Sequence, residues 1–141
     1  MKTGVVIFTK NESRSIGRLI DQVCRYVNIR DVFVIDGHST DGTASVVKEK
    51  RVSLILDNGM GKGAAIKLAL EKIDRDVLVF MDSDESHRPE EIPLLLEPLY
   101  RDPAVAMVTG SRFKGGSEEL FGSIHEITRL IGNILSTLII N

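Results

Sequence analysis

The sequence predicts an α/β domain, a three-layer α/β/α sandwich built on a mainly parallel sheet, on three observations. Short apolar runs alternate with stretches of helical periodicity along the chain. The runs are apolar nearly throughout rather than at every second residue, as in strands whose two faces are both covered. Each run is followed by a polar segment rich in glycine and carboxylates, and a parallel sheet would gather such segments at one edge, where folds of this class bind ligands.

Residues 5–8 read as the first buried strand. Residues 16–27 follow as a helix, with Ile16, Leu19, Ile20, Val23 and Val27 at helical spacing and Cys24 inside the pattern as a core residue. Residues 32–35 form the second strand and 43–50 a short helix. The third strand is 52–56, where Ser53 breaks the apolar run, and the next helix is 63–73, with Ile66, Leu70 and Ile73 on one face. The fourth strand is 77–81. Residues 89–100 begin as a helix with two glutamates in the first turn, although Pro93 and Pro98 interrupt the later part. A fifth strand is expected at 104–108.

At 141 residues, 43 % of them hydrophobic and 27 % charged, the chain has the size and composition of one domain with its own core. A formal charge of −2 and the lack of any long Lys/Arg run exclude wholesale nucleic-acid binding. The single cysteine, Cys24, excludes an internal disulfide and suits a reducing, cytoplasmic setting. The first apolar run is too short for a secretory signal, and no run reaches the roughly 18 apolar residues of a membrane span.

Asp82-Ser83-Asp84 follows the fourth strand. Alternate carboxylates at a strand end can share Mg²⁺ or Mn²⁺, hard cations that take oxygen ligands and offset charge on a diphosphate leaving group. An acidic surface turn is the plainer alternative. Asp36-Gly37-His38-Ser39-Thr40-Asp41-Gly42-Thr43 offers Asp36 to a base N–H or a sugar hydroxyl, while Asp41 or Ser39 caps the next helix. Gly59-Met60-Gly61-Lys62-Gly63 sets backbone amides and an ammonium at a helix start, which suits a phosphate as well as it suits a solvated turn. It has neither the P-loop spacing nor that of the dinucleotide fingerprint. Gly110-Ser111-Arg112 either turns a guanidinium to phosphate oxygens or leaves it in solvent. His87 either lies near a metal or phosphate or orients the acidic loop. His38, His87 and His125 lack zinc-like spacing.

Taken together with Thr9-Lys10-Asn11-Glu12, these motifs resemble, in order and spacing, family 2 glycosyltransferases of the GT-A fold. The branch they resemble most is that of dolichol-phosphate mannosyltransferases and polyprenyl-phosphate glycosyltransferases, from Gly4 to the C-terminus. The resemblance implies that Glu12 and Asp36 contact the nucleoside of a GDP- or UDP-hexose, within donor-contacting segments that also hold Thr9, Asn11, Ser39 and Ser83. It places Lys62 near the nucleotide, Asp82 near the ribose and metal, and makes Asp84 the main metal ligand. Arg112 would face phosphates, and Arg129 would be the second basic residue of the branch; with Asp84 these form the implied catalytic set. Ser86 stands where many relatives carry a metal-supporting glutamine, and as a metal ligand would act weakly or through water. Glu85 and Arg88 also depart from the family pattern.

No acidic base motif follows Asp84, and a phosphate acceptor needs none; it needs cations, for which Arg112 and Arg129 are available. A polyprenyl phosphate acceptor is therefore expected, with inverting transfer implied by the family. Residues 1–118 are read as the nucleotide-sugar-binding domain. In 119–141, Ile124, Ile127, Ile131, Ile134, Leu135 and Leu138 recur at helical spacing as a C-terminal amphipathic helix. It would lie at the cytoplasmic membrane face, or pack on the domain or on a second copy as a homodimer. The pattern runs to the last residue, so a truncated acceptor region is expected. Two other functions compete: a catalytically incomplete nucleotide-sugar-binding module, and a sugar-1-phosphate nucleotidylyltransferase, disfavoured by the short segment after the first strand.

Overall fold

The computed structural model describes residues 1–110. They form β1 (Thr3–Thr9), α1 (Ile16–Val23), β2 (Val32–Asp36), α2 (Thr43–Glu49), β3 (Ser53–Leu56), α3 (Lys62–Lys72), β4 (Val77–Asp82) and α4 (Ile92–Arg101). Single 3-10 turns at Ile29–Asp31 and Pro89–Glu91 lead into β2 and α4. All the strand pairings are parallel, in the order β3-β2-β1-β4.

The winding explains the layers. From β1 through β2 to β3 the chain steps one way, and it then returns across β2 and β1 to reach β4. Right-handed crossovers require the returning helix to lie on the opposite face. Accordingly α1, α2 and α4 cover one face, with Ile16, Leu19, Ile20, Val23, Val47, Ile92 and Leu96 packed on Val5, Ile7, Val32, Val34, Val77, Val79 and Met81. Helix α3 covers the other, setting Ala65, Ala69 and Ile73 against Val6 and Ile35, with Phe8, Phe33, Ile55 and Leu78 around them. This is the expected three-layer α/β/α sandwich.

Four local expectations change. Residues 104–108 form no strand, because Asp102 closes a turn after α4: its carboxylate accepts the Ala104 amide (2.9 Å) and its carbonyl the Val105 amide (3.0 Å). Those amides are the first a fifth strand would have offered, and Met107 is 78 % exposed. Helix α1 stops at Val23 rather than running to residue 27. There it tightens, with the amides of Arg25 and Tyr26 bonding the carbonyls of Gln22 and Val23, three residues back. The β3 strand lies at the sheet edge and leaves Leu56 largely exposed. The buried residues of α3 are Ala65 and Ala69, continued by Ile73 just beyond its end, whereas Leu70 is 62 % exposed. Two methyl side chains let the helix approach the sheet more closely than a stripe of Ile and Leu would. The prolines are accommodated: Pro93 sits in the first turn of α4, where an amide has no partner to lose, and Pro98 lies inside the helix.

The close α3 contact predicts that Ala69→Leu lowers unfolding free energy by about 1–3 kcal/mol through overpacking. Leu70→Ala should stay within roughly 0.5 kcal/mol. Urea denaturation of both variants checks this; equal effects would show that α3 packs by its Ile/Leu face.

Candidate functional site

The register fixes which loops meet. Thr9 pairs with Asp36, Phe8 with Asp82 and Asp36 with Leu56, so β1, β2, β3 and β4 end level at one edge. Backbone bonding continues beyond the strands: Gly37 N–H donates to Thr9 O (2.8 Å), Ser83 N–H to Phe8 O (3.1 Å) and Asp57 N–H to Asp36 O (3.1 Å). Four of the five polar segments are thereby brought together. In the fifth, Gly110 is exposed, while Ser111 and Arg112 lie outside the described residues, as do Arg129, His125 and the whole of 119–141.

The loops after β1 and β2 are joined side by side. Asn11 takes a left-handed backbone (φ 56°), its amide donates to Ser39 Oγ (2.8 Å), and its side-chain oxygen accepts the Thr40 amide (2.8 Å). Glu12 N–H donates to Thr43 Oγ1 (2.9 Å), and Ser13 N–H to Asp41 Oδ2 (2.9 Å). Asp41 also accepts the Thr43 amide (3.0 Å) and the Thr43 hydroxyl (2.5 Å); neither it nor Ser39 is the N-cap of α2, which is Gly42, but Asp41 ties the first residue of the helix to the neighbouring loop. Asp36 is 1 % exposed and accepts the Ser39 amide (3.2 Å) and the Ser39 hydroxyl. Its carboxylate shapes its own loop and keeps lone pairs for a further donor. Beside it in the register, Thr9 is 5 % exposed and its hydroxyl has no partner.

The loop after β4 is held from three sides. His87 Nδ1 accepts the Asp82 amide (2.9 Å), so this ring orients the acidic loop. Ser15, at the start of α1, donates its hydroxyl to Glu12 (2.6 Å) and lies 3.2 Å from Ser83 O, tying the β1 and β4 loops together. Glu85 has φ 62° and forms an ion pair with Arg18 of α1. Asp84 is exposed and its Oδ1 accepts the Ser86 amide (3.0 Å). The Ser86 hydroxyl is enclosed and unbonded. Both oxygens of Asp82 lie 2.5 Å from Lys62 Nζ, which also sits 5.9 Å from the centre of the Phe8 ring.

Asp82 and Asp84 are hard oxygen donors that suit Mg²⁺ or Mn²⁺, whose shells are completed by phosphate oxygens and water. The ammonium on Asp82 shows that this carboxylate draws a cation. Among the described residues no three His, Cys, Asp or Glu are grouped so as to hold a metal ion by themselves.

The sequence did not single out Asp57 or its partner His38. His38 has φ 60°, and its Nε2 lies 3.0 Å from Asp57 O and 3.4 Å from Asp57 Oδ1; that carboxylate oxygen accepts the Gly59 amide (2.9 Å). The signal was present: Asp57 is the first residue after β3, as Gly37 is after β2 and Ser83 after β4.

The profile of Glycosyl transferase family 2 matches residues 4–138. The chain belongs to this family. Among its family 2 relatives is the low-salt glycan biosynthesis hexosyltransferase Agl6 of Haloferax volcanii, 31 % identical over 97 % of this chain and 33 % of that protein. The dolichol-phosphate mannosyltransferase of Pyrococcus furiosus is 33 % identical over 84 % of this chain and 36 % of that protein. The chain spans about a third of the length of these two relatives. The crystal structure of glucosyl-3-phosphoglycerate synthase from Mycobacterium tuberculosis with Mn²⁺, uridine diphosphate and phosphoglyceric acid superposes with a TM-score of 0.66. Its identity is 26 %, over 74 % of this chain and 40 % of that one. The family 2 chain thus has the GT-A fold, and no helix among its described residues is long and apolar enough to cross a membrane.

The Asp41 contacts predict a pH effect. The Thr43 hydroxyl, then the Ser13 amide, hold the Asp41 carboxyl well below the usual carboxylate range. A group whose folded pKa is depressed adds stability above its unfolded pKa, about 3.9, and loses it as pH falls toward the folded value. Asp41→Asn should therefore melt below wild type by a constant margin at neutral pH, and the margin should shrink below about pH 4. A margin unchanged down to pH 2.5 would remove the assignment of a charged Asp41 to Thr43 and Ser13.

Proposed function

We propose that this domain binds a nucleoside diphosphate sugar and transfers its hexose, with inversion, to a polyprenyl phosphate. The carrying observation is that Asp36 and Thr9, the start of α3 with Lys62, and Asp82-Ser83-Asp84 share one edge of the sheet. Family membership and a relative named dolichol-phosphate mannosyltransferase support the donor and acceptor classes. The Mn²⁺ and uridine diphosphate in the glucosyl-3-phosphoglycerate synthase structure support a metal-assisted donor site.

In this reading Thr9, Asn11, Glu12, Asp36 and Ser39 form the nucleoside wall, with Asp36 accepting from a base or ribose donor. Asp84 is the main metal ligand, Asp82 and Ser83 complete its loop, and Ser86 contributes its hydroxyl through water. A divalent cation held there would offset the charge that develops on the departing diphosphate. Lys62 and the amides at the start of α3 add positive potential on the phosphate side. The acceptor phosphate is already an anion, so the chain has to hold it and not deprotonate it; Arg112 and Arg129 are assigned that task. Apolar residues of 119–141 would bring the domain to the membrane face where a lipid acceptor resides.

Calorimetric titration with GDP-mannose, UDP-glucose and their diphosphates, with Mn²⁺ and then with EDTA, tests the donor site. One nucleotide family should bind with metal and weaken at least tenfold without it, and Asp84→Ala should abolish that dependence while melting as wild type does. Equal affinity of Asp84→Ala in Mn²⁺ would sink the metal assignment. Tight donor binding without transfer to a polyprenyl phosphate would identify a binding module.

A further inference from the structure

The cation that Asp82 holds in this structure is a side chain of the same chain. Lys62 Nζ lies 2.5 Å from both carboxylate oxygens, so the ammonium occupies the space in front of them that any bridging cation would need. The arrangement is built by the fold. Phe8 and Asp82 are register partners on neighbouring strands, and Phe8 belongs to the cluster on the α3 face. Lys62 is the first residue of α3, projected from that face by Gly61, whose backbone (φ 89°, ψ 176°) is open to glycine alone. The Phe8 ring, 5.9 Å from Nζ, holds the ammonium from a second side. Yet the Lys62 side chain is 57 % exposed against 29 % for Asp82, so the lysine can swing away while the carboxylate stays.

We propose that Lys62 is a placeholder cation: it occupies Asp82 in the nucleotide-free protein, and the arriving diphosphate draws it off, vacating the carboxylate for the metal. The inference rests on the donor-site reading above and adds an order to it. A free divalent ion must displace an ammonium from Asp82 and then remain beside it. A metal–nucleotide complex brings its own phosphate oxygens for that ammonium, so the lysine exchanges one anion for another. The loop is thus kept closed to metal alone and opened to metal with donor. Lys62 acts here as a positioning residue, and its signature is a coupling between two ligands.

The experiment measures Mn²⁺ binding to wild type, Lys62→Met, Lys62→Arg and Asp84→Ala by electron paramagnetic resonance of free Mn²⁺. Each is measured alone and with the diphosphate, uridine or guanosine, that the wild type prefers. Lys62→Met should bind Mn²⁺ alone roughly three- to fivefold more tightly than wild type, the scale of removing one exposed ion pair. Its diphosphate affinity in EDTA should fall, so the enhancement of Mn²⁺ binding by diphosphate shrinks; Lys62→Arg should keep that enhancement. Unchanged or weaker Mn²⁺ binding by Lys62→Met would overturn the placeholder role and leave a structural strap. Its failure is separable from that of the donor site. If Asp84→Ala binds Mn²⁺ with diphosphate as wild type does, the donor-site reading itself fails, whatever Lys62 does.

Discussion

β1 is hydrogen-bonded on both sides, to β2 from Val5 to Thr9 and to β4 from Thr3 to Phe8. Both ladders run on past the strand ends, through the Gly37 and Ser83 amides. A shift of either pairing by one residue would turn Asp36 or Asp82 to the opposite face of the sheet. Asp36 would then leave the wall it shares with Thr9, and Asp82 would leave Lys62 and Phe8. The register is therefore the constraint on which the chemistry of the edge depends. It is secured by the alternation of Val5 and Ile7 into one core cluster and Val6 into the other.

On that platform, hydrogen bonds between loops set the positions of the polar side chains. Asp41, Thr43, Asn11 and Ser39 connect the loops after β1 and β2, and Ser15 connects the β1 loop to the β4 loop. Much of the carboxylate capacity at the edge is spent on this framework: Asp41 on Thr43 and Ser13, Glu85 on Arg18, Glu12 in part on Ser15. What faces solvent with a cation already drawn to it is the Asp82 loop. The Asp41 and Asn11 loops are thus cross-braced, while the Asp82 loop carries its cation on an exposed side chain.

Much of this was legible in the sequence. The alternation of apolar runs predicts four strands in their places, and their parallel order brings the polar segments that follow them to one edge. The shortfalls have physical causes. Residues 104–108 have the composition of a strand, but Asp102 captured the first amides in a local turn, a competition that composition does not report. On α3, hydrophobicity favoured Ile66 and Leu70, while close approach to the sheet favoured Ala65 and Ala69. The contact of His87 Nδ1 with the Asp82 amide, five residues away, is one that no periodicity reports. The Lys62–Asp82 pair joins residues 20 positions apart, and no periodicity predicts such a meeting.

Among the described residues, three of the four non-glycine residues with positive φ lie in these loops: Asn11, His38 and Glu85. Each adopts a conformation that costs an L-residue roughly 1–2 kcal/mol, and that glycine would adopt freely. Each also makes a side-chain bond that glycine could not, to Thr40, Asp57 and Arg18 respectively. At these sites backbone shape and side-chain chemistry are coupled, the bond offsetting part of the cost of the conformation. Truncating any of these side chains to alanine would remove the bond and keep the backbone cost, whereas glycine would remove both.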